Sequence, residues 1–259
     1  LMFSSSDISS MLFSSIYNKL MICFSLLDNF DIAFLCLPDD AAKEAAALAA
    51  DLPVKIIEET DRYIIKTTAW GVTQKTFKQE DSTPEMLDFT VNSSEVWENA
   101  KKLMTLEEDR IPWKRLEEGY ARWRAEGHWI SAGFWFGFDV AHSWMMGTET
   151  MLVAMLEEPE FVMDVFDTYL HSCEVLFGKI WDAGYRFDCI NWPDDMGYKN
   201  TTFFSNDMYR ELLKPFHKKA VDWAHERGCK VMLHSCGDVR PFVPEFIEIG
   251  IDGLNPLEV

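Results

Sequence analysis

Two short runs carry residue types whose spacing could do chemistry. His234-Ser235-Cys236 closes an apolar, strand-like segment. In a strand, positions i and i+2 point to the same side, so the imidazole and the thiol can approach one ion together. Zinc favours this mixture of nitrogen and sulfur donors, and a bound cysteine becomes a thiolate. Zinc sites need at least three protein ligands. A third donor must therefore come from a carboxylate of this chain or from sequence outside it. The plain alternative is a half-buried histidine and a small core cysteine.

Carboxylates stand nearby in the pattern. Asp194-Asp195 follows a strand expected at 187–192, and Glu258 follows Asn255-Pro256-Leu257. Each is a candidate catalytic group that could bind substrate, act as acid or base, or complete a metal site. Against this, Asp194 could merely open a turn toward Gly197, with Asp195 solvated and Glu258 a surface acid. Trp135, Phe136, Phe138, Asp139, His142 and Trp144 crowd the end of an earlier strand. With Trp192, the aromatics Trp135 and Phe136 are candidates to wall a pocket for a flat ligand, the alternative being core. Asp139 and His142 are its polar candidates. His128, His171, His217 and His225 show no partner pattern and read as structural or exposed.

The elements that must position these groups alternate. Residues 1–30 are Ser-rich and give no clear element. A short strand is expected at 31–37, an Ala-rich helix at 40–51 and a hairpin at 61–78 around Trp70-Gly71. Helices are expected at 93–104 and 112–126. From Gly127 the order becomes regular: strand 128–138, helix 148–183 broken at Glu158-Pro159, strand 187–192, and helix 205–227 capped by Ser205 and kinked by Pro215. Strand 230–234, helix 241–249 and strand 251–254 follow. Three of the helices end on Gly184, Gly228 and Gly250, as left-handed stops do. The expected organisation is an N-terminal region, 1–126, leading into regular β/α units at 127–259. Alternating strands and helices imply parallel strands with right-handed crossovers, and chemistry then sits at the carboxyl ends of the strands.

No GxGxxG or Walker-type loop follows any strand, which removes support from the common nucleotide-binding open sheets. A (β/α)8 TIM barrel needs roughly 250 residues. The chain has 259 residues, and its regular part supplies about half the strands. The ends at Leu1 and Val259 both read as cuts, and the barrel as truncated at the C-terminus. With 43 acidic and 24 basic side chains the net charge is −19, which argues against nucleic acid or an anionic membrane as partner. Six cysteines in this length make no disulfide framework, so a reducing, cytoplasmic setting is expected. No segment is long and apolar enough to span a membrane.

Three runs resemble the uroporphyrinogen decarboxylase superfamily: Trp192-Pro-Asp-Asp-Met-Gly-Tyr198, Met208-Tyr-Arg-Glu-Leu-Leu-Lys-Pro215, and the stretch from Val231-Met-Leu-His-Ser-Cys-Gly237 to Ile251-Asp-Gly-Leu-Asn-Pro256. The likeness covers about 129–259, and Trp70-Gly-Val-Thr73 fits more loosely. It implies a (β/α)8 barrel and one of two chemistries. One branch decarboxylates uroporphyrinogen without metal or cofactor. The other moves a methyl group between a corrinoid protein and a thiol, using a zinc site that begins H-x-C and ends in a distant cysteine. His234 and Cys236 match the first two ligands, and the distant cysteine is absent. The decarboxylase branch carries an arginine-containing N-terminal motif for its octacarboxylate substrate, and residues 1–60 contain no arginine. The resemblance thus favours a zinc-dependent methyltransferase with a small thiol substrate and a corrinoid partner. The alternatives are metal-free decarboxylation of a tetrapyrrole and a non-catalytic corrinoid- or tetrapyrrole-binding protein, with a homodimer possible for an incomplete barrel.

Overall fold

The computed structural model describes residues 32–34, 53–79, 84–104, 106 and 108–256. The expected helix at 40–51 and the candidate Glu258 lie outside these residues. In chain order the strands and helices are β1 (Ile32–Phe34), β2 (Ile56–Glu59), β3 (Tyr63–Thr67), β4 (Val72–Phe77), β5 (Glu85–Phe89), α1 (Ser94–Lys101), α2 (Trp113–Ala125), β6 (Trp129–Gly133), α3 (Phe138–Ala141), α4 (Thr148–Glu157), α5 (Pro159–Asp182), β7 (Cys189–Pro193), β8 (Gly197–Tyr198), β9 (Thr201–Thr202), α6 (Asn206–Met208), α7 (Lys214–Glu226), β10 (Lys230–His234), α8 (Val243–Ile249) and β11 (Gly253–Asn255).

Five of the strands form one sheet in the order β1-β6-β7-β10-β11, and every pairing is parallel. Neighbours in the sheet follow the chain order of its strands, the pattern left when each crossover helix returns the chain to the next position. The front of the chain contributes β1, so the sheet starts before residue 127. The hairpin expected at 61–78 is present as β3-β4 and is extended by β2 and β5 into a four-stranded antiparallel sheet.

The two faces of the parallel sheet differ in kind. Ile130, Ala132, Ile190, Trp192, Val231 and Leu233 are fully buried on one face. The helices cover this face: Phe134 stacks on Phe177 of α5 and meets Trp223 of α7 edge-on. Alternation sends Ser131, Asn191, Met232 and His234 to the other face. The Ser131 hydroxyl donates to Asn191 Oδ1 there at 2.8 Å. The register sets Pro193, His234 and Asn255 side by side at the carboxyl ends of β7, β10 and β11.

Local chemistry explains the boundaries. Gly184, Gly228 and Gly250 take φ of 101°, 72° and 95°, the left-handed stop their positions demanded. Ser205 caps α6 by accepting the Met208 N–H. Pro215 removes a backbone donor from the long helix, and the chain widens into a π segment at Tyr209–Leu213 just ahead of it. The strand expected at 128–138 is shorter, because Phe138 already begins α3 and a second π segment, His142–Met146, follows. No helix among the described residues is long and apolar enough to cross a membrane.

Candidate metal centre

Asp195, His234 and Cys236 come together at the carboxyl ends of β7 and β10. One donor atom from each lies within 4.8 Å of the others. Cys236 Sγ is 3.3 Å from His234 Nε2, and Asp195 Oδ1 is 3.6 Å from the same nitrogen. Bonds of zinc to nitrogen, oxygen and sulfur, set tetrahedrally, place their donors roughly 3.4–3.6 Å apart. The two spacings to His234 Nε2 are close to that range, and the donor set is one that zinc takes. All three residues are half-buried.

The surrounding backbone fixes this geometry. Cys236 N–H donates to Asp195 Oδ1 at 2.7 Å, which ties the carboxylate to the segment carrying the other two donors. Asn255 Nδ2 lies 3.3 Å from His234 Nδ1. Flipping that amide would bring its oxygen to Nδ1, which could then carry the proton and leave Nε2 to an ion. The loop itself needs glycine. A Cβ on Gly197 would stand 2.5 Å from both the Cys236 carbonyl oxygen and the Gly237 carbonyl carbon. Gly237 adopts φ 78°, so two backbones pack with nothing between them.

Asp194 goes the other way. Its carboxylate is fully buried, with His217 Nε2 at 2.8 Å from Oδ2 and the Asp139 N–H donating to Oδ1 at 2.7 Å. Tyr209 Oη lies 3.0 Å from His217 Nδ1. Burial raises the Asp194 carboxyl above its usual range, and the bond to His217 opposes that shift. His217, expected to be structural or exposed, is the wholly buried partner of Asp194. It sits in the apolar stripe Leu213, Ala220, Val221, Ala224 of its helix, and a histidine in such a stripe must find a polar partner.

Asp139 and His142 stand at the end of β6. The Ser143 hydroxyl donates to Asp139 Oδ1 at 2.8 Å, and His142 Nε2 is 3.6 Å from that oxygen. Burial first, then the charge of Asp195, pushes the Asp139 carboxyl up to about 7, against the Ser143 bond. His142 lies between Phe138 and Phe203, with Nδ1 3.0 Å from Thr148 Oγ1. Burial holds its imidazole down at about 4, so the ring is neutral at pH 7.

The aromatic candidates divide. Trp135 is half-buried and meets Trp144 edge-on at 6.3 Å. Phe136 and Trp192 are corrected from pocket wall to core: both are wholly buried, 5.3 Å apart, and both pack on the His217 ring. Trp192 alternates onto the helix-covered face of β7, and Phe136, past the end of β6, packs on the same His217 ring; fully buried, they offer a ligand no surface. The cysteines also divide. Burial pushes the Cys173 thiol up to about 12 and those of Cys189 and Cys229 to about 11, so these remain neutral packing groups. Cys236 is half-buried.

No match was found among curated proteins. A solved structure, a methyltransferase from Methanosarcina mazei, is similar at 15% identity with a TM-score of 0.45, covering 81% of this chain. The chain spans about half the length of that protein, 54% of it being covered. Residues 79–256 match the uroporphyrinogen decarboxylase (URO-D) family, and the chain belongs to that family.

Proposed function

We propose that this chain is a zinc-dependent methyltransferase that passes a methyl group from a corrinoid on a partner protein to a small acceptor thiol. The observation that carries the reading is the Asp195–His234–Cys236 cluster, whose three donors lie within 4.8 Å of one another at the carboxyl end of a parallel sheet. A zinc ion held there would supply Lewis acidity that keeps an acceptor sulfur in its nucleophilic thiolate form at neutral pH. Asp195 stands in this reading as the third donor, in the place the family's methyltransferases give to a distant cysteine.

The chain's own residues have separate tasks. His234 and Cys236 hold the ion, and Asn255 fixes the His234 ring so that Nε2 faces it. Asp139 exchanges a proton near neutral pH on the rim tied to Asp194, which suits it to take the proton that the thiol gives up. His142, beside Asp139, and the half-buried Trp135 are read as substrate contacts. We read the five parallel strands as an arc of the eight-stranded barrel that family membership implies, with residues 127–259 as its regular β/α part and 1–126 leading into it.

The test is thiol methylation. Purified protein is incubated with zinc, methylcobalamin and a panel of small thiols, and thioether formation is followed by mass spectrometry. Turnover that falls at least about 100-fold in Cys236→Ser, as loss of a direct donor would give, supports the reading. Conversion of uroporphyrinogen without metal, unchanged in Cys236→Ser, would replace it with the decarboxylase chemistry.

A further inference from the structure

The buried line behind the cluster has no part in the chemistry above, yet it touches every strand that bears the site. Asp194 makes four bonds that join separate elements. Its Oδ1 accepts from Asp139 N–H at 2.7 Å, beyond the end of β6, and its Oδ2 faces His217 Nε2 of α7 at 2.8 Å. Its own N–H donates to the His234 carbonyl at 2.7 Å, and its carbonyl accepts the Ser235 hydroxyl at 2.6 Å. Ser235 in turn accepts the Met196 N–H at 3.1 Å. A Cβ on Gly137 would collide with the Asp194 carboxylate, so the strand-end loop of β6 closes directly over it.

The consequence reaches the donors through the backbone. Asp194 laces the end of β7 to His234 and Ser235 by its main chain. The next residue, Asp195, laces the same strand end to Cys236 by its side chain, at 2.7 Å. If the Asp194 carboxylate moves, its peptide groups move, and with them the offset between Asp195 on one strand and His234-Ser235-Cys236 on the next. We infer that Asp194, clamped by His217 with Tyr209 behind it, is the positioning device that sets the spacing of the three donors. An apolar trio of the same volume would cost less desolvation than a buried carboxylate and imidazole. What the polar line adds is direction: one carboxylate with two fixed donors cannot rotate. Groups one shell behind a metal ligand typically change metal affinity about 10–100-fold when removed.

This inference rests on the metal reading, and its test separates the two. Cobalt(II) is titrated into the full chain while the thiolate-to-cobalt absorption is recorded. His217→Leu, which leaves the carboxylate without its clamp, is expected to bind about 10–100-fold more weakly with a shifted band. His217→Gln, which returns a donor at the same reach, is expected to restore both. Val221→Ala, a buried cavity on the same helix, should lower the melting temperature and leave affinity and band at wild-type values. Should His217→Leu fail to fold, Asp194→Asn carries the same expectation, since it keeps the volume and turns an amide to His217. Wild-type affinity and spectrum in a folded clamp variant overturn the inference. If the wild type takes up no cobalt, the metal reading fails, and the positioning claim is decided on metal-free protein by the alkylation rate of Cys236, mapped by peptide mass spectrometry. A several-fold change in the clamp variant but not in Val221→Ala supports it, and equal rates overturn it.

Discussion

Asp194 and Asp195 are consecutive on the chain and end in opposite surroundings. The Asp194 side chain is wholly buried behind the strand ends, against an imidazole that is also wholly buried. The Asp195 side chain is one-third exposed and faces a half-buried histidine and cysteine. Both lie just past β7, which ends at Pro193, and their bonds draw the two side chains to opposite sides, Asp194 to His217 and Asp195 to the Cys236 N–H. The difference teaches that one acidic dipeptide serves two layers. The rear carboxylate organises backbone, and the front carboxylate presents a donor to solvent. Only the front one is placed to meet a ligand.

That contrast can be broken most forcefully at the rear. Asp194→Ala leaves His217 and the Asp139 N–H buried without their acceptor, and should lower stability by about 3–5 kcal/mol. Urea unfolding followed by circular dichroism measures it. Asp195→Ala should cost less, because the side chain is partly solvated and the one donor it leaves, the Cys236 N–H, belongs to a half-buried residue. Equal losses from the two substitutions would erase the distinction.

The second test is pH. The folded Asp139 carboxyl sits near 7, while in the unfolded chain it titrates near 4. Between those values the folded state binds a proton that the unfolded state has released. Asp139 alone should therefore lower the stability of the metal-free protein by about 4 kcal/mol as pH rises from about 4 to 7. His142, held at about 4 when folded and titrating near 6.5 when unfolded, acts the other way and returns about 3 kcal/mol over nearly the same range. Asp139→Asn should remove the fall and leave the rise from His142. A variant with the wild-type slope would show that Asp139 is ionised throughout.

At the front, affinity replaces stability as the readout. Asp195→Ala should weaken zinc binding at least about 100-fold, worth ~2.7 kcal/mol, by isothermal titration. Asn255→Ala removes only the group behind His234 and should cost about tenfold, ~1.4 kcal/mol. If Asn255 mattered more than Asp195, the third donor would have been misassigned.

Much of this arrangement was legible in the residues. The i, i+2 spacing of His234 and Cys236 placed both donors on one side of a strand, and the glycine-ended helices marked the parallel units. The hairpin around Trp70-Gly71 was visible, but its extension by β2 and β5 was not, because Glu58, Glu59 and Glu85 give those strands no apolar alternation. Phe136 and Trp192 were misread because an aromatic at a strand end looks the same whether it faces the helices or the open mouth. Register decides which, and register is a property of the assembled sheet. The His217 signal was present and passed over: the stripe from Leu213 to Ala224 encloses it at helical spacing, so burial was implied. Its partner was hidden, since Asp194 lies 23 residues earlier and only the crossover from β7 through α7 brings them together.

The most direct measurement of the central claim is bound metal in the purified chain, prepared without chelator, for wild type, His234→Ala and Asp195→Ala. The account predicts about one zinc per wild-type chain, lost in both variants while their circular dichroism stays that of the folded protein. Zinc absent from the wild type, or retained in both folded variants, would contradict it.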